Sequence, residues 1–176
     1  EIFIDISKSN SIEYETISVQ VNSDLLFTDT TKDVAVLILD KKEVENIIGE
    51  IPKISCVKEK STYNSFITKG FPKATMGEEI AVLFPTWLQH FENSRFQIQL
   101  HEAYSAYSTQ GFSGSPVFLI AKNEIYLIGI FTRFRPEEKG KVIYCQYIET
   151  INELLDNNYL PKISFNYFGN HGLTKD

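Results

Sequence analysis

Apolar and polar residues alternate along much of this chain, and the alternation predicts strands. Ile2 to Ile6 is strand-like from the outset. Between Ile12 and Val21, the residues Ile17, Val19 and Val21 share one face, with Ser18 and Gln20 opposite. That two-residue period marks a half-buried strand. Asp24 to Asp29 reads as a connection, and Val34 to Leu39 as a continuous apolar strand covered on both faces. From Lys41 to Gly49 charges are mixed with Val44, Ile47 and Ile48, predicting one or two helical turns stopped by Gly49. Pro52 opens a more irregular region, with strands around Ile54–Val57 and Phe66–Lys69.

The second half continues the pattern. Glu79–Phe84 predicts a strand, and Trp87–Phe91 and Arg95–Ala103 form a hairpin turning at Glu92-Asn93-Ser94. Val117–Ala121, Ile125–Arg133 and Val142–Tyr147 are further strands, the first two joined through Lys122-Asn123. Ile148, Ile151, Leu154 and Leu155 then recur at helical spacing, giving an amphipathic helix over Ile148–Asn158. The tail Tyr159–Asp176 carries Phe165, Tyr167 and Phe168 and is expected to dock rather than float. Regular strands with one terminal helix mean an all-β, antiparallel barrel or sandwich.

Composition narrows the class. The 176 residues are 43% apolar and 23% charged, which suits one globular domain. A net charge of −6 without a Lys/Arg cluster argues against nucleic acid or an anionic membrane as partner. No apolar run approaches the roughly 18 residues of a membrane span. Cys56 and Cys145 are too few for a disulfide framework and read as reduced thiols of a cytoplasmic protein. No set of His, Cys, Asp and Glu has metal-ligand spacing, so neither metal nor other cofactor is expected.

The candidate chemistry lies at Gly111-Phe112-Ser113-Gly114-Ser115-Pro116, just before the apolar run Val117-Phe118-Leu119-Ile120. Serine between glycines forms a tight, exposed turn, and glycine lets another chain approach the backbone. The amides of Gly111 and Ser113 are placed to converge as an oxyanion hole. The plainer alternative is a polar turn ahead of a buried strand. A Gly-x-Ser-x-Gly elbow followed by a helix does not fit, because Ser115 holds the fifth position and Pro116 leads into a strand.

This segment resembles the nucleophile loop of the chymotrypsin/trypsin-like serine peptidases. Three further segments match that family in its order: Thr31-Lys32-Asp33-Val34-Ala35-Val36-Leu37, Ile67-Thr68-Lys69-Gly70-Phe71-Pro72 and Ile125-Tyr126-Leu127-Ile128-Gly129-Ile130-Phe131-Thr132. The Gly-x-Pro strand end is common in its bacterial branches. The matches span roughly Asp33 to Leu155. The resemblance implies an antiparallel double β-barrel with a C-terminal helix, its first barrel incomplete. On this reading residues 1–158 are the peptidase domain, with 1–60 in the first barrel, 61–147 mainly in the second and 148–158 helical. Residues 159–176 would be a tail or linker.

By the same resemblance Ser113 is the nucleophile of an acyl-enzyme mechanism and Asp33 the acid that orients a histidine base. The plainer alternative for Asp33 is a solvated residue capping the turn from Asp29 to Lys32. Thr132, Arg133 and Phe134 would line the substrate-binding wall, and Tyr107 the pocket base. With no aspartate at position 107, basic specificity is not expected. Phe112 stands where digestive members carry a charge that pairs with a new N-terminus, so that switch is absent. The family's histidine precedes its aspartate, yet His90, His101 and His171 all lie downstream of Asp33. The chain starts at Glu1 within a strand-like run, which reads as a cut or processed product of a larger parent with further domains. The expected activity is therefore a serine endopeptidase acting on polypeptides, its histidine supplied from elsewhere. The alternatives are an inactive trypsin-like domain that binds peptides or acts as a scaffold, and an unrelated β-rich interaction domain.

Overall fold

The computed structural model describes residues 2–7, 14–19, 23–50, 54–57, 65–72, 80–91, 94–101, 111–121, 123–135 and 141–166. The chain divides into two units, Glu1–Lys53 and Ile54–Asp176.

In the first unit, β1 (Ile2–Ser7) pairs antiparallel with β2 (Tyr14–Val19). The stretch from Asp24 to Asp29, expected as a connection, is instead a short 3-10 turn (Ser23–Leu25) followed by β3 (Leu26–Asp29). Leu26 and Phe27 pair across to Leu37 and Val36 of β4 (Val34–Leu37), so cross-strand pairing captures residues whose local pattern is weak. The expectation that β4 is covered on both faces also fails. Val34 is buried, but Ala35 is exposed and Val36 and Leu37 are only half-buried. Helix α1 (Lys41–Ile48) starts where Asp40 Oδ1 accepts the Lys42 amide at 2.8 Å, an N-cap that satisfies an end donor. It stops at Gly49, whose φ of +79° suits glycine.

The second unit is a curled antiparallel half-barrel. Its elements are β5 (Cys56–Val57), β6 (Phe66–Gly70), β7 (Ala81–Leu83), β8 (Thr86–Phe91), β9 (Arg95–Gln99), β10 (Pro116–Ala121), β11 (Glu124–Phe134) and β12 (Val142–Tyr147). Helix α2 (Glu149–Asn157) and a two-residue strand, β13 (Phe165–Asn166), follow. The strand order is β7-β6-β10-β11-β12-β9-β8, with β5 joined in parallel to β11 and β13 in parallel to β5. The region from Tyr159 thus contributes a strand, pinned by the Asn152 side chain of α2. Its amide donates to the Ile163 carbonyl at 2.7 Å and accepts the Ile163 N–H at 2.6 Å. Tyr167 and Phe168 lie outside the described residues, as do Glu92 and Asn93 of the β8–β9 turn.

Alternation along the strands builds one core. Val117 and Leu119 of β10, Phe96 and Ile98 of β9, and Ile143 and Cys145 of β12 all point inward and are essentially sealed from water. Burying each large apolar side chain contributes about 1.5–3 kcal/mol. Trp87, Phe96 and Tyr147 form an aromatic group on this face, with Phe96 and Tyr147 centroids 4.5 Å apart. Gly129 is required where β11 crosses Phe96: a Cβ there would sit 2.4 Å from the Gln146 carbonyl and 2.6 Å from the Phe96 ring.

Burial pushes the Cys145 thiol and the Tyr147 phenol well above their ordinary values, Glu149 adding to the Tyr147 shift. Both groups ionise more readily in the unfolded chain than in the folded one. Above the unfolded thiol value of about 8.5 the folded chain therefore holds more protons, and stability falls as pH rises. Urea unfolding should show a steady loss of stability from about pH 8.5 to above pH 10, the range of those two unfolded groups. Cys145→Ala and Tyr147→Phe should each flatten that slope. An unchanged slope in both would show that neither group is buried as described.

Candidate functional site

The site grows out of the junction between β10 and the loop before it. The Ser115 N–H donates to the Phe112 carbonyl at 2.9 Å and closes a four-residue turn. Ser113 and Gly114 are its central residues, and Gly114 has φ +87°, which makes this a type II turn. Gly111, just before it, has φ +100°. Both glycines of the motif are thus needed for backbone conformation. The turn sends Phe112 and Ser113 in opposite directions. Phe112 is 1% exposed and tilts against Phe131, with centroids 5.8 Å apart, whereas Ser113 is displayed to solvent. Among the described residues neither the Gly111 nor the Ser113 amide has an acceptor.

Two hydrogen bonds fasten the loop to β11. The Gly114 N–H donates to the Phe131 carbonyl at 2.9 Å, and the Phe131 N–H donates to the Ser115 carbonyl at 2.8 Å. Immediately beyond, the β11–β12 register slips between Phe131 and Arg133, so Thr132 is the extra residue of a bulge. Its carbonyl accepts the Ser113 hydroxyl at 2.8 Å. The Thr132 hydroxyl donates in turn to the Tyr144 carbonyl at 3.0 Å. The bulge also sets what β11 displays. Phe131 and Phe134 turn inward, edge-to-face at 4.9 Å, while Arg133 is exposed with its guanidinium over the Tyr144 ring at 5.3 Å. Phe134, expected in the substrate wall with Thr132 and Arg133, is half-buried and packs against the core.

Gly70, at the end of β6, is the positioning residue whose reason the sequence did not reveal. A Cβ there would lie 2.6 Å from Ser115 Oγ and 2.7 Å from Phe112 Cδ1. The Gly-x-Pro motif marked the residue, but its contact with the serine loop is long-range and appears only on folding.

Asp33 belongs to the N-terminal unit. It closes the β3–β4 loop, is exposed, and has φ +57°. The turn itself is held by Asp29, whose Oδ1 accepts the Thr31 hydroxyl at 2.6 Å and the Thr31 and Lys32 amides at 3.0 and 3.2 Å. The Thr31 hydroxyl is the main reason that the Asp29 carboxyl is held below its ordinary value. Capping is thus the work of Asp29, and the Asp33 carboxylate makes no hydrogen bond among the described residues. Tyr107 and His171 lie outside the described residues. His101 is exposed. His90 packs edge-on against Trp87 at 4.4 Å and its Nδ1 is hydrogen-bonded to the Tyr147 hydroxyl. No group of three His, Cys, Asp or Glu among the described residues converges as a metal site. No helix is long and apolar enough to cross a membrane, among the described residues.

The chain matches no family model and no curated protein. Among solved structures it is similar to the catalytically active tobacco etch virus protease complexed with product, at 10% identity and a TM-score of 0.48 over 89% of this chain and 62% of that one. It is also similar to the protease Anisep from Arthrobacter nicotinovorans, at 17% identity and a TM-score of 0.43 over 70% of this chain and 55% of that one. The chain thus spans about three-fifths of the length of the first and just over half of the second.

Gly70→Ala should test the close approach. Overpacking of this kind typically costs about 1–3 kcal/mol, which a urea melt would register. Amide exchange at Gly114 and Ser115 should accelerate as the loop shifts. Wild-type stability and exchange would mean that the loop does not lean on Gly70.

Proposed function

We propose that this chain contributes the nucleophile and the orienting acid of a serine endopeptidase of the chymotrypsin/trypsin-like kind, with a double β-barrel architecture and a polypeptide substrate. The observation that carries the proposal is the type II turn that displays the Ser113 hydroxyl on a loop whose Gly111 and Ser113 amides have no acceptor among the described residues. A merely polar turn has no need of that combination.

In the proposed reaction Ser113 Oγ attacks the scissile carbonyl carbon while its proton passes to an imidazole. The oxyanion that forms is received by the N–H groups of Gly111 and Ser113. Collapse breaks the C–N bond, the imidazolium protonates the departing amine, and water then cleaves the acyl-enzyme by the same route. Asp33 holds the imidazole in the required tautomer and stabilises its charged form. The histidine is assigned to a segment outside this sequence, because none precedes Asp33 and Ser113 is bonded to neither His90 nor His101. Phe112 holds the loop by burial in place of an ion pair, so no charge-driven activation is proposed. Tyr107 remains the proposed pocket base, which disfavours cleavage after arginine or lysine. No cofactor enters the scheme.

A second reading is a peptide-binding domain without catalysis. It is favoured by the hydrogen bond from Ser113 to the Thr132 carbonyl, since a carbonyl orients the hydroxyl without removing its proton.

A fluorophosphonate probe separates the two. The chain by itself should label very slowly, because without a base only about 10³–10⁴-fold acceleration over water survives. A longer chain with an upstream histidine segment should label rapidly. In it Ser113→Ala should abolish labelling without unfolding the domain, and Asp33→Asn should retain weak activity. If the longer chain has the histidine and still neither labels nor cleaves, the binding reading replaces the enzymatic one.

A further inference from the structure

Arg133 is an exposed cation on β11 that the proposed reaction leaves unused. It follows Thr132, the residue whose carbonyl receives the Ser113 hydroxyl, so it stands next to the proposed reaction centre. The bulge turns it outward between the inward-facing Phe131 and Phe134. Its guanidinium lies 5.3 Å above the Tyr144 ring, and Tyr144 is fixed in β12 by its register with Arg133 and Gln97. A guanidinium resting on an aromatic face keeps its N–H edge free to meet a planar anion, and it has already lost much of its rotamer freedom. Among the described residues no carboxylate pairs with it.

We infer that Arg133, braced by Tyr144, is a specificity-determining residue that receives a carboxylate side chain of a peptide lying along β11 close to the cut bond. The inference rests on the peptidase reading for the location of the peptide, and it adds the substrate class: polypeptides with Asp or Glu near the cleavage point. Arginine meets a carboxylate with two parallel N–H···O bonds, which an amide cannot reproduce. The net charge of −6 repels acidic peptides in general, so a preference for them has to come from a local cation.

The test is binding to the intact chain, for which turnover is not needed. Fluorescein-labelled hexapeptide pools carry Glu at one scanned position, and matched pools carry Gln there. Fluorescence polarisation should show one or two positions at which Glu binds about three- to tenfold tighter than Gln, as befits a partly exposed charged pair. The ratio should shrink as salt is raised. Arg133→Gln should bring it to one, Arg133→Lys should keep part of it, and Arg133→Glu should reverse it in favour of Lys pools. Tyr144→Phe preserves the ring and should leave the ratio unchanged, whereas Tyr144→Leu should lower it. If peptides bind with equal affinity for Glu and Gln at every position, or the ratio survives Arg133→Gln, the assignment to Arg133 is wrong and the peptide-site reading stands. If no pool binds at all, the assignment to Arg133 falls, while the peptidase reading is decided by labelling of the longer chain.

Discussion

Two backbone hydrogen bonds between the serine loop and β11 hold the candidate site in place. Gly114 and Ser115 pair with Phe131 as though the β10–β11 ladder ran on past Pro116. The loop is therefore an extension of the sheet, and it inherits the rigidity of a core in which Val117 and Phe131 are buried. A hydroxyl displayed on such a frame has little freedom left to lose. The same frame explains the glycines. A pairing strand that turns sharply into a type II turn needs a residue at positive φ, and Gly114 provides it.

Close packing then limits what may stand around the loop. Gly70 admits Phe112 and Ser115, as Gly129 admits Phe96, and in each case a single methyl group would have to displace its neighbours. Phe112 anchors the loop through apolar burial against Phe131. An anchor of this kind is present whenever the core is folded, unlike an ion pair that waits for a new charged terminus. The bulge at Thr132 is the complementary device on the facing strand. It offers a carbonyl to Ser113 and turns Arg133 outward.

The chemistry divides along the same lines. Display of the Ser113 hydroxyl is a matter of backbone geometry, set by the type II turn. Removal of the proton needs a base, and the Thr132 carbonyl is too weak to be one. The two described histidines are otherwise placed, His90 in an aromatic group with Trp87 and Tyr147, His101 at the surface.

Much of this was legible in the sequence where the determinant is local. Alternation located the second-unit strands from β5 to β12 to within a few residues, because a sheet with one buried face imposes a period of two, but it did not show β13. Helical spacing found α2, and Gly49 marked the end of α1. Gly111 and Gly114 pointed to a displayed Ser113, since positive φ is a property of single residues. Where the determinant lies across the sheet, local pattern failed. The stretch of β3 has the local pattern of a connection because its strand character comes from pairing with β4, and Asp29 rather than Asp33 caps the intervening turn. Phe134 follows Arg133 in sequence, but a bulge of one residue decides which of the two faces outward. The contact of Gly70 with Ser115, the acceptance of the Ser113 hydroxyl by Thr132 and the stacking of Arg133 on Tyr144 likewise belong to tertiary structure. Each joins residues from different strands, and strand neighbours are set by packing rather than by order along the chain.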